Sequence, residues 1–125
     1  MTDELPNLGS LTGEQLSSVI FVADYVQFDF NGPILSAFSP PIVEVQGVRY
    51  RFPDRGSRDA LCSLIQQFVA SARAEDNHSI NVAFDSGARL SISLSSDDYE
   101  GPEAATFSDP KVGGRLVWLA FRAAV

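Results

Sequence analysis

The sequence predicts an α+β domain: a curved antiparallel sheet or half-barrel of about seven to eight strands, with one amphipathic helix packed on it. Three observations lead there. Turn-forming pairs and triplets at Asn31-Gly32, Gln46-Gly47 and Asp85-Ser86-Gly87 each sit between short runs of β-type residues, the pattern of hairpins. One stretch alone has helical spacing, with Leu61, Leu64, Ile65 and Phe68 at i, i+3, i+4 and i+7. Strand signals lie both before and after that stretch, so helix and strands do not alternate as they would in a parallel sheet.

Residues 1–10 are polar, contain Pro6 and Gly9, and have no period. They read as a flexible arm, with residues 11–125 as a single globular domain. Val19-Ile20-Phe21-Val22 is a short apolar run that suits a strand buried on both faces. Val26, Phe28 and Phe30 then alternate with Gln27 and Asp29, the period of a half-buried strand. Asn31 and Gly32 both tolerate positive φ, and Ile34 to Phe38 resumes a strand. Pro40-Pro41 ends it, because proline has no N–H to donate. Ile42 to Val45 and Val48 to Phe52 form a second hairpin around Gln46-Gly47, with Arg49 and Arg51 opposite Val48, Tyr50 and Phe52.

The helix is expected at about 57–68, with Ser57 as its cap and Asp59 at the positive end of its dipole. Val69 to Ala74 reads as a strand and Glu75 to His78 as a turn. Ile80, Val82 and Phe84, then Leu90, Ile92 and Leu94, alternate with small or polar residues about Asp85-Ser86-Gly87. That hairpin has one apolar and one wetted face. Residues 96–114 read as a long loop. Arg115 to Phe121 is apolar on both faces, which places it centrally or against the helix.

Length and composition narrow the function. A chain of 125 residues is one domain and long enough for a proper core. The formal net charge is −7 and Lys111 is the sole lysine. This balance disfavours nucleic acid and anionic membranes and attracts basic partners. Cys62 is the only cysteine, which excludes an intrachain disulfide and a cysteine-based zinc site. The N-terminal residues lack the basic and apolar regions of a signal peptide, and no apolar run approaches the ~20 residues of a membrane span. The expected compartment is the cytoplasm.

Chemistry-bearing residues are few. Asp97, Asp98, Glu100 and Glu103 surround Tyr99 within seven residues. Such a cluster could meet a basic patch on a partner with Tyr99 as an aromatic anchor. Its spacing matches no calcium loop, so no metal and no cofactor are expected. His78 could act as a base only with a carboxylate, a serine or Cys62 brought close by folding. Cys62 lies between Leu61 and Leu64 and reads as a buried, inert thiol. Arg49, Arg51, Arg55 and Arg58 form a modest basic group with Asp54 and Asp59 interleaved. That group is either a salt-bridged surface or a dock for an acidic segment, such as a second copy's acidic loop.

Three stretches carry a resemblance: Leu16 to Phe28, Arg58 to Ile65, and Ile80 to Ile92 followed by Tyr99-Glu100-Gly101-Pro102-Glu103. In them the chain resembles small bacterial proteins catalogued mostly as domains of unknown function. In size and acidity alone it looks like immunity proteins, which neutralise a toxin by covering its active site. The expectation is a non-enzymatic protein-binding module, immunity-like, that meets a basic partner through Asp97, Asp98, Tyr99, Glu100 and Glu103. The alternatives are a structural or regulatory homodimer and a small enzyme using His78 and a carboxylate.

Overall fold

Residues 7–75, 78–99 and 101–119 are described by the structure, a computed structural model. Among them are ten strands and one α-helix. In chain order the elements are β1 (Ser18–Val22), β2 (Tyr25–Asp29), β3 (Ile34–Ala37), β4 (Pro41–Val45), β5 (Val48–Arg51), α1 (Ser57–Cys62), β6 (Val69–Glu75), β7 (Ser79–Phe84), β8 (Arg89–Ser93), β9 (Glu103–Ser108) and β10 (Arg115–Leu119). The fold is mostly antiparallel sheet with one helix. The strands divide into two sheets of five, ordered β1-β2-β3-β9-β10 and β5-β4-β8-β7-β6. This corrects the single curved sheet of about seven to eight strands.

The division has a local cause. After β3 the N–H groups of Phe38 and Ser39 both donate to the carbonyl of Ala104, at 2.9 and 3.0 Å. Pro40 and Pro41 cannot extend that ladder, and the chain leaves to begin the second sheet. Residues 41–93 build that sheet without interruption, and β9 then returns to pair with β3. The expected turns hold three of the hairpins. Asn31 and Gly32 turn between β2 and β3 with φ of +60° and +126°, and Gln46 and Gly47 between β4 and β5 with +51° and +80°.

The inner faces meet in one core. Across the first sheet, Val19, Phe28, Leu35, Phe107 and Leu116 stand in register. Phe28, Leu35 and Phe107 are fully buried, each contributing about 1.5–3 kcal/mol by leaving water. Across the second sheet, Tyr50, Val43, Leu90, Val82 and Ala72 form the matching row.

Six expectations change in detail. The helix stops at Cys62 rather than near residue 68. Beyond it Leu64, Ile65 and Gln67 donate to carbonyls three residues back, at 3.0–3.1 Å, and Gln66 takes φ of +76°. Leu61 and Leu64 still face the core, whereas Phe68 is 49% exposed. The helix cap is Gly56 in the left-handed region, not Ser57. A Cβ at Gly56 would lie 3.1 Å from the Tyr50 ring, so glycine suits both the backbone and the packing.

The run Val19 to Val22 is an edge strand with Ile20 exposed, not a strand buried on both faces. β10 is likewise at a sheet edge, with Val117 and Leu119 exposed; residues 120 and 121 of the expected strand lie outside the described residues. The expected loop 96–114 contains β9, a central strand whose residues Ala104 to Phe107 are buried. Finally, part of the expected flexible arm is packed. Leu8–Leu11 form a 3-10 turn beside β6 that buries Leu8 and Leu11, while residues 1–6 lie outside the described residues.

Candidate functional site

Two charged surfaces flank the second sheet. The first is the acidic turn after β8. Hydrogen bonds within it fix its backbone and one of its carboxylates. The Ser93 hydroxyl donates to the Asp98 carboxylate at 2.6 Å and accepts from the Ser95 N–H at 3.1 Å. The Ser95 hydroxyl accepts from the Asp97 N–H at 3.1 Å, and the Asp98 N–H donates to the Ser95 carbonyl at 3.1 Å. Asp97 and Asp98 remain exposed. Serines that read as mere polar filler therefore set the turn, by side-chain bonds that mimic backbone turns.

The five residues of the acidic stretch are not one patch. Tyr99 is half-buried and packs against the core rather than projecting as an anchor. Its ring lies where a Cβ on Gly101 would have to go. Glu103 begins β9 and stands opposite Leu119 in the first sheet. Glu100 lies outside the described residues. Asp97 and Asp98 are thus the part the turn presents at the rim of the second sheet.

The second surface is the outer face of that sheet. Alternation along each strand sends every second residue outward. Register then lines up Arg51, Ile42, Ser91, Asn81 and Arg73 in one row, and Arg49, Glu44, Arg89, Ala83 and Ser71 in the next. Four arginines, contributed by β5, β6 and β8, share this face with Glu44 and Glu75. Arg73 pairs with Glu75 at 3.0 Å, both ends being exposed. Among the described residues Arg49, Arg51 and Arg89 are in no ion pair. The small side chains of Ala83 and Ser71 leave a groove of about 440 Å³ between Arg73 and Arg89. A second groove of about 180 Å³ lies between Arg49 and Arg89 and shares Asn81 and Arg89 with the first.

The sequence reading grouped Arg49 and Arg51 with Arg55 and Arg58. The structure sets Arg58 apart. Arg58 lies over the Phe52 ring at 5.1 Å and the Phe21 ring at 5.9 Å, where it covers a stacked aromatic pair. Arg73 and Arg89 were not singled out. The alternation of Arg89 with Leu90 marks it as outward, but only strand pairing brings it beside Arg49.

His78 is exposed in the β6–β7 turn. Its N–H donates to the Glu75 carbonyl and its own carbonyl accepts from Leu94. Cys62 lies on α1, which packs on β1, β4 and β5, whereas β6 forms the far edge of the second sheet. The fold does not bring the two together. Cys62 is exposed, which corrects the expectation of a buried thiol: on so short a helix it faces away from Leu61. Among the described residues no three of His, Cys, Asp and Glu converge as a metal-binding group, and no helix is long and apolar enough to cross a membrane. Comparison with protein-family models, curated proteins and solved structures finds no match.

Proposed function

We propose that the protein is a non-enzymatic protein-binding module that meets a basic partner through the acidic turn at the rim of the second sheet. The observation that supports this reading is the fixed presentation of Asp97 and Asp98. The Ser93 hydroxyl holds the Asp98 carboxylate, and three further hydrogen bonds, one of them from the Asp97 N–H, fix the turn backbone that presents both exposed side chains. A partner then meets an ordered turn with the Asp98 carboxylate already oriented, and less ordering entropy is lost on binding. The chain's net charge of −7 steers positively charged surfaces toward it. An immunity-like role, in which the partner is a toxin with a basic active-site cleft, is the specific form that size and charge suggest. A rim of this kind acts mainly on association rate and salt dependence.

The test is capture from bacterial lysate on immobilised wild type and on the Asp97→Asn/Asp98→Asn variant, at low and high salt. A stoichiometric basic protein retained by the wild type, released by salt and lost with the variant is the expected result. A partner held equally by both proteins would remove the turn from the account.

A further inference from the structure

We propose that the outer face of the second sheet is a second docking surface, for an extended acidic peptide segment of a partner protein. The inference stands apart from the acidic turn and does not depend on it. Its basis is charge complementarity. Half of the chain's eight arginines, Arg49, Arg51, Arg73 and Arg89, stand on this one face of an acidic protein. Arginine presents a planar fork that pairs bidentately with carboxylates.

The face also has the right relief. Two adjoining grooves, of about 440 and 180 Å³, run across the strands and share Arg89 and Asn81. Their floor is small or polar, made by Ser71, Asn81, Ala83 and Ser91. Strands lie about 4.8 Å apart. Arg49 on β5 and Arg89 on β8 are two strands apart, and so are Arg89 and Arg73 on β6. Arg49 and Arg89 share a row, so that step is about 10 Å, whereas Arg73 lies one row along β6, which makes its step about 12 Å; the two match about three and four residues of an extended chain. The occupant is a peptide crossing the strands with acidic residues three or four positions apart.

The same face discriminates against nucleic acid. Glu44 lies in register between Arg49 and Arg89, and Glu75 sits beside Arg73. A peptide can place neutral residues against those carboxylates. A phosphate backbone, charged at every nucleotide, cannot. No aromatic side chain stands in the two rows to stack a base.

The experiment is fluorescence anisotropy with a fluorescein-labelled peptide bearing Glu residues three and four positions apart in a Ser/Gly background. The controls are the Gln version of the peptide and an oligothymidine of equal charge. Saturable, salt-sensitive binding of the Glu peptide is expected, weakened about tenfold or more by Arg49→Gln/Arg89→Gln. Both arginines point outward, and circular dichroism of the variant confirms its fold. Asp97→Asn/Asp98→Asn should bind the peptide at least as well as the wild type, which separates this surface from the acidic turn. Failure of the wild type to saturate at millimolar peptide, equal binding by the arginine variant, or tighter binding of the oligothymidine would each overturn the proposal. So would a dimer in sedimentation velocity that Arg89→Gln dissolves, since a second copy would then occupy the face.

Discussion

Replacing Ser57 with alanine tests how the helix begins. If the Ser57 hydroxyl capped the first turn, alanine would cost about 1 kcal/mol. In the structure Gly56 holds the cap position, and Ser57 is fully buried. Its hydroxyl has no hydrogen-bond partner among the described residues. A buried hydroxyl left unpaired costs roughly 1–3 kcal/mol. Alanine removes that cost and has a helix propensity better by about 0.5 kcal/mol, while the oxygen-sized void gives some of the gain back. The Ser57 N–H, which donates to the Asp54 carbonyl at 3.0 Å, is untouched. Ser57→Ala should therefore stabilise the protein by about 1 kcal/mol. For a chain of this length that raises Tm by about 4 °C. Thermal and urea unfolding followed by circular dichroism measure it. A fall in Tm of similar size would mean that the hydroxyl bonds the helix start after all, and the burial argument would be wrong.

Other substitutions probe the fold more simply. Phe107→Ala removes a fully buried ring from the first sheet's inner row and should cost about 3–5 kcal/mol in urea unfolding; a loss below 1 kcal/mol would show that this core is not close-packed. Ala23 turns from β1 to β2 with φ of +41°, a region that alanine enters at some cost. Ala23→Gly should gain about 0.5 kcal/mol, and a loss would place the strain elsewhere. Cys62 should react fully with a thiol reagent in native buffer, because it is exposed. Reaction only after adding urea would contradict that exposure.

The hairpins were legible because their signals are local. Asn31-Gly32 and Gln46-Gly47 announce positive φ in the sequence, and alternation on either side sets which residues face the core. β9 was not legible. Ala104 and Ala105 have little β propensity, and with both faces of the strand covered no period marks the stretch. Its placement depends on β3, which lies far away in the chain. The edge positions of β1 and β10 failed for the opposite reason. Apolar residues on both faces read as a central strand, yet Ile20, Val117 and Leu119 are exposed.

The charged surfaces divide the same way. The acidic turn was visible as a run of carboxylates, but its serine brackets and the inward turn of Tyr99 arise only in the folded chain. The arginine face was half visible. Arg49 and Arg51 share a strand, whereas Arg73 and Arg89 join them only through the order β5-β4-β8-β7-β6.

The uninterrupted run of residues 41–93 through the second sheet leaves the first sheet built from two separated pieces. Ile34 meets Ser108 only after that whole run has been made. While the chain is being synthesised, β3 therefore waits with an unpaired edge, and closing so long a loop brings no contact until the end. The second sheet closes a shorter loop, where Pro41 meets Ile92, and that loop is nested inside the one between β3 and β9. The expected order is second sheet first, with the seam between β3 and β9 closing last. Phe107→Ala should then speed unfolding in stopped-flow experiments and leave the folding rate nearly unchanged. A proportionate slowing of folding would instead put that seam in the nucleus.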